Sequence, residues 1–397
     1  MTTKQENQNN KTSNASRAKR RKYSVKISPF EKQKKVSTKL NHKKRMGDLS
    51  SNKNHKSTKT KRDPSLDLVR GVAVSLMILT HVSGLFYGGS TGIIDFFTWW
   101  GATVCFTMFL FVSASTVGIK IQLGKVDKKR ILKRFFSLML IYYTTAYVLS
   151  IIRFGDNGSL STLINVLLFR EIPEFTEFML AFIMFSLIIL LLPKQIMKLF
   201  IDLRVILPIS LLLYVLAQLW YTTTIGNSDH SILRALLVGD DNLHTFGILS
   251  YMPVYGLGLW WGGELMKGEI YPYKKAIIAF GLTFGTFLLL NIFALSEWVR
   301  WPPSPLFLLY GIGFSWSLIL LTRLFKKLDL LFTTVTYLGM NALLYYMIHI
   351  ILLYIMAFFI KDLKFGQFST FLIFVVVMAF NTCIIYQFQE LKQASQK

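Results

Sequence analysis

Three ionisable side chains stand inside the first long apolar run of the chain: Asp67, Arg70 and His81 in SLDLVRGVAVSLMILTHVSG, residues 65–84. A later apolar run, YLGMNALLYYMIHIILLYIM at 337–356, carries Asn341, Tyr345 and His349 at four-residue spacing. A charge at the centre of a membrane span costs about 2.5–3.5 kcal/mol on insertion scales, so such groups are functional candidates by default. Neutral imidazole is a base near neutral pH, and Asn and Tyr can donate or accept hydrogen bonds. Together these residue types suit proton abstraction from a hydroxyl or amine, with donors for a developing oxyanion and cations for an anionic substrate.

The spacing puts the first set on one helical face. At about 100° per residue, Arg70 and His81 lie about 20° apart, and Asp67 falls about 40° to the other side of His81. Helix rise separates Arg70 from His81 by about 16 Å. Read blandly, Asp67 and Arg70 are an interfacial ion pair with the arginine reaching for the surface. His81 lies too deep for that explanation. Two histidines on polar stripes of two separate spans predict a lined cavity.

The elements that must hold these groups are helices in a bilayer. The 397 residues are 52% hydrophobic and 15% aromatic, too apolar for an ordinary soluble domain. With about 20 apolar residues needed per crossing, spans are predicted near 66–87, 96–118, 134–152, 174–193, 204–221, 246–265, 275–295, 304–322, 337–360 and 369–389. The fold class is therefore an all-α polytopic membrane protein of about ten helices, with 160–169 as a short interfacial or re-entrant helix. Alternation from a cytoplasmic start places the basic loops 120–133, 194–204, 266–275 and 323–329 inside, and the acidic 222–245 outside. Both termini are then cytoplasmic, in a multi-pass protein of the cell membrane. The five-span halves share no repeated motif.

Charge divides the chain further. Residues 1–62 hold 20 of the 45 basic side chains and three of the 21 acidic ones. Such a segment buries too little surface to offset chain entropy, so 1–63 is expected to be a disordered basic cytoplasmic tail. It would rest on anionic lipid headgroups, with membrane lipids rather than nucleic acid as its partner. Residues 64–390 form the membrane domain, and 391–397 a short cytoplasmic tail. The first apolar run begins only near residue 65, which predicts an uncleaved anchor.

Arg70-x10-His81 within LDLVRGVAVSLMILTH resembles the opening motif of the membrane acyltransferase family 3 enzymes, which acylate glycans. The related heparan-α-glucosaminide N-acetyltransferase-like domains open in a similar way. FTMFLFVSAS (106–115) resembles the family's Phe-Phe-x-x-Ser-Gly segment, with Ala114 where Gly follows Ser113. KKRILKRFF (128–136) resembles its Arg-bearing cytoplasmic loop, although Arg130 and Arg134 are four apart rather than three, which admits Lys133 as the second cation. YLGMNALLYYMIH (337–349) resembles its late Gly-x-x-Ser-x-x-x-Tyr-x-x-His stretch, with Asn341 in place of Ser. YMPVYGLGLWWGGELM (251–266) is more like the N-acetyltransferase branch.

The resemblance implies acyl transfer from a cytoplasmic acyl-CoA, by family default acetyl-CoA, to a sugar hydroxyl or amine beyond the outer face. No metal is expected. His81 is then the candidate base, with His349 second and Asp67 and Arg70 on the same stripe. Arg70, Arg130, Lys133 and Arg134 would hold the coenzyme phosphates, since arginine matches phosphate geometry. Asn341, Tyr345 and Ser113 would orient a histidine or meet the oxyanion. Trp298, Trp301, Asp240 and Asp241 are candidates for binding a glycan or glycolipid acceptor, against the simpler reading of the tryptophans as an interfacial belt. A transporter or flippase with proton-relaying histidines is the competing class, and a membrane scaffold the third. Oligomeric state is encoded in none of these patterns.

Overall fold

The computed structural model describes residues 63–394 apart from 90, 155–159, 171, 174, 225–231, 240–245, 268–270 and 361–362. The basic tail of residues 1–62 lies outside the described residues, as do Asp240 and Asp241.

The named elements are all helices. In chain order they are α1 (Pro64–Phe86), α2 (Ile93–Gln122), α3 (Lys128–Phe154), α4 (Leu160–Leu167), α5 (Glu177–Leu191), α6 (Lys194–Leu199) and α7 (Leu203–Thr224). There follow α8 (Ile232–Leu237), α9 (Met252–Leu265), α10 (Tyr271–Ile292), α11 (Pro305–Phe325), α12 (Asp329–Met340), α13 (Ala342–Ile360) and α14 (Gln367–Ala394). Eight of these, α1, α2, α3, α7, α10, α11, α13 and α14, are long and apolar enough to cross a membrane. This is a multi-pass membrane protein. The predicted spans 174–193 and 246–265 appear as the 15-residue α5 and 14-residue α9. At about 1.5 Å per residue each reaches only about 21–23 Å, so neither helix alone covers the roughly 30 Å of hydrocarbon. The expected short helix near 160–169 is α4. At the carboxyl end, α14 runs through the expected tail to Ala394.

At the centre, α1 and α2 pack on each other, and α9, α11, α12, α13 and α14 pack around them. Asp63 starts α1 by accepting a hydrogen bond from the Ser65 N–H at 2.8 Å, with Pro64 at the first helical position. The α2–α9 seam is built on small residues. A side chain at Gly262 would strike the Ser115 carbonyl, and one at Gly118 the Leu259 carbonyl. Gly258 and Gly262 thus form a G-x-x-x-G face that brings two backbones into contact, as membrane helices do where hydrophobicity cannot drive association. This accounts for both WWGG and VSAS by packing. Around the seam, Trp261, Trp316 and Phe111 form a buried aromatic cluster. By contrast, α10 turns Ile277, Ile278, Leu282 and Leu289 outward, a surface suited to lipid.

The predicted continuous span 337–360 is broken. Asn341 leaves helical geometry (φ −110°, ψ 17°) between α12 and α13. Val335 packs on Gly71 and Gly339 on Asp67, so α12 runs against the direction of α1 there. Asn341 turns the chain, and α13 returns alongside α1. That reversal sets His349 opposite His81.

Candidate active site

The two histidines sought in separate spans meet directly. His81 Nδ1 lies 2.9 Å from His349 Nε2, with the ring planes 11° apart. Both rings are buried. His349 Nδ1 is 2.7 Å from the Tyr345 carbonyl, one turn earlier on α13. This chain of contacts assigns the hydrogens for two neutral rings. A carbonyl only accepts, so His349 Nδ1 donates to it and its Nε2 carries a lone pair. His81 Nδ1 must then donate to His349. The remaining nitrogen, His81 Nε2, holds an in-plane lone pair and makes no hydrogen bond to a described residue. The arrangement has the logic of a base oriented through its second nitrogen.

One face of His81 is covered by a residue that sequence reasoning missed. Phe175, just before α5, lies 4.2 Å from His81 between ring centroids and meets Tyr354 edge-on. Its backbone is left-handed (φ 68°), a costly conformation for a bulky residue. The Tyr346 hydroxyl donates to the Phe175 carbonyl at 2.9 Å and fixes it there. The local sequence, PEFTE, gave no periodic signal for a residue reaching back over α1.

The other groups from the late motif point elsewhere. The Asn341 amide donates to the Tyr337 carbonyl at 3.0 Å and accepts from Gln389 at 2.7 Å. The Tyr345 hydroxyl bonds Thr382 on α14 at 2.8 Å. Both side chains tie α12 and α13 to α14, and it is the Tyr345 backbone that reaches the histidine pair. Ser113 is half-buried on α2, next to the Ala114 and Ser115 that seat α9.

The end of the bundle where α1 begins, here called the near side, collects positive charge. Arg70 contacts Asp67 at 3.3 Å and donates to the Thr116 hydroxyl on α2 at 2.9 Å. Lys120, one turn further along α2, lies within electrostatic range of Arg70, Arg130 and Arg134. Arg130 is exposed and pairs with Asp127 at 3.3 Å, while Lys133 and Arg134 are exposed on the first turns of α3. Sequence reasoning found the arginines and counted Lys120 only as part of a basic loop, but not Thr116, which joins them through the α1–α2 packing. Like charges gathered in this way favour an anionic ligand over an empty site.

At the opposite, far side stands an aromatic group. Trp298 stacks on Trp99 with centroids 5.5 Å apart and meets Tyr310 at 5.5 Å. Trp298 and Trp99 keep 39% and 48% of their surface exposed, which leaves ring faces available to a ligand. Trp301 is more enclosed and lies under the Arg300 guanidinium, 4.2 Å from its ring centroid. Along the segment from Ser296 to Ser304 the chain passes from exposed Glu297, Trp298 and Val299 to buried Pro302, Pro303 and Ser304. Ser304 caps α11 by accepting from the Phe307 N–H and also accepts from the Val299 N–H, both at 3.3 Å.

A buried, hydrogen-bonded imidazole on α1 thus stands between a cationic near side and an aromatic far side, on one continuous helix. Curated proteins offer no match to the chain. A family model described as an acyltransferase domain matches residues 63–388, which takes in every helix that places these groups. The chain belongs to this acyltransferase family and is a membrane acyltransferase.

Proposed function

We propose that the enzyme moves an acyl group, acetyl in the first instance, from a cytoplasmic acyl-CoA to a hydroxyl or amine of a cell-envelope glycan or glycolipid. The observation that carries this reading is the His81–His349 pair, which leaves one basic nitrogen oriented inside the bundle. The near side is taken as cytoplasmic because the loops there are basic, which also puts both termini in the cytoplasm of a cell-membrane protein. Donor phosphates would rest on Arg70, Lys120, Arg130, Lys133 and Arg134. The extended arm of the thioester would follow α1 over the roughly 16 Å to His81. An acceptor would enter from the far side past Trp298 and Trp99.

In the reaction, His81 Nε2 takes the proton of the attacking O–H or N–H as the acceptor atom bonds to the thioester carbonyl carbon. The tetrahedral intermediate collapses with cleavage of the C–S bond. The proton on His81 passes to the departing thiolate, and the ring returns to neutral. Throughout, His349 accepts from His81 Nδ1 and disperses the imidazolium charge, while Phe175 keeps water from the ring.

Thiol release from acetyl-CoA by the protein in lipid nanodiscs, with and without a panel of envelope sugars, tests the assignment. Acceptor-dependent release that His81→Ala abolishes is the expected result. Release unaffected by that change would remove His81 from the role of base.

A further inference from the structure

Arg300 belongs to none of the groups used so far. It sits on the far-side segment from Ser296 to Ser304, half-buried, its Nε fully enclosed. A guanidinium offers five N–H donors. Arg300 makes no hydrogen bond and no ion pair with a described residue, and its near contact is the face of Trp301. The Trp301 indole N–H beside it is also buried without an acceptor. Its charge nonetheless reaches into the bundle, acting on His81 and Cys105 and sensing Tyr251 and Glu177. Burial draws this arginine below the ordinary guanidinium range, as expected for a cation partly withdrawn from water, with its Nε enclosed and no close counter-ion among the described residues. Two adjacent enclosed donors, one of them cationic, are expensive to leave unmatched. They match a planar or tetrahedral cluster of anionic oxygens.

We propose that Arg300 and Trp301 bind a carboxylate or phosphate carried by a substrate next to the group that reacts at His81. The inference rests on the acyl-transfer reading for the identity of that substrate, but the anion site itself does not depend on turnover. Two substrates could bring the charge: an acidic or phosphorylated sugar acceptor entering from the far side, or an acyl chain ending in a carboxylate. Trp298 and Trp99 would then take the apolar face of a sugar while Arg300 takes its acid, which makes the enzyme selective for anionic over neutral acceptors.

Binding and turnover separate the possibilities. Tryptophan fluorescence of the full chain in nanodiscs is titrated with glucose, glucuronate and glucose 1-phosphate, for wild type, Arg300→Gln and Arg300→Lys. Wild type is expected to bind the anionic sugars about ten- to a hundredfold more tightly than glucose, the range of a charge-assisted hydrogen bond. In Arg300→Gln that ratio falls toward one. Arg300→Lys, which keeps the charge but loses the fork, lies between. Thermal melts of the variants establish that both are folded. Turnover is then read with acetyl-CoA and succinyl-CoA against each sugar. Arg300-dependent selectivity among acceptors assigns the anion to the acceptor, and Arg300-dependent preference for succinyl-CoA assigns it to the acyl chain. Anion-selective binding without turnover of any pair would support the site and remove the acyl-transfer reading. Equal binding of neutral and anionic sugars, with no Arg300-dependent donor preference, would overturn the proposal.

Discussion

Replacing His349 with phenylalanine keeps a ring in the buried space beside His81 but removes the acceptor for His81 Nδ1–H, now 2.9 Å away. Two losses follow. In the resting enzyme a buried N–H is left unpaired, and the His81 ring is free to adopt the other tautomer, which puts the hydrogen on Nε2 where the lone pair is needed. In the transition state the bond supports a cationic imidazolium, and hydrogen bonds to charged groups are worth about 1.5–3 kcal/mol. At about 1.4 kcal/mol per decade, kcat should fall by about ten- to 150-fold. His81→Ala, which removes the base itself, should cost about 10²–10⁴. The two changes act on one unit, so the double variant should be no slower than His81→Ala alone. The assay is thiol release from acetyl-CoA at saturating donor and acceptor, with coenzyme A affinity measured in parallel to establish that the near-side site is intact. Multiplicative losses in the double variant would refute the coupling, and an unimpaired His349→Phe enzyme would refute the relay.

Arg70→Ala and the Arg130→Ala/Arg134→Ala pair should each weaken coenzyme A binding by about tenfold or more, with the difference shrinking at high salt, as calorimetry at two ionic strengths would read. Thr116→Val, which loses one neutral partner of Arg70, should weaken it by about two- to tenfold. Phe175→Ala should uncover His81, so that acceptor-independent thiol release rises relative to acyl transfer; an unchanged ratio would deny Phe175 its role as a water shield. Gly262→Val drives a side chain onto the Ser115 carbonyl and should cost about 1–3 kcal/mol or more of stability, seen as a lower melting temperature in nanodiscs. Gln389→Leu, which frees Asn341 but touches neither histidine, should lower stability with little change in kcat.

Much of this architecture is legible in hydropathy, because a span needs a fixed length of apolar chain and basic loops mark one side. The polar stripe of α1 follows from helical period alone, and it correctly placed Arg70 and His81 on one continuous helix. Periodicity misled at Asn341. The four-residue spacing of Asn341, Tyr345 and His349 looks like one face of one helix, yet the close approach of Gly339 to Asp67 accompanies a break there. Likewise the apolar runs over 174–193 and 246–265 exceed the helices they form, since part of each is irregular chain sheltered by neighbours, which a bilayer tolerates only when it is buried in protein. Phe175 and Thr116 were invisible because each joins its site through tertiary packing, across 46 residues in the case of Arg70 and Thr116. No local pattern encodes such a contact.

The central claim is that an acyl group crosses the protein by way of His81. Proteoliposomes with radiolabelled acetyl-CoA on the near side and a membrane-impermeant envelope sugar on the far side would test it directly. Label should appear on the sugar with wild-type protein and fall to background with His81→Ala. Label reaching the sugar equally in both, or reaching it only when donor and sugar share one side, would contradict the account.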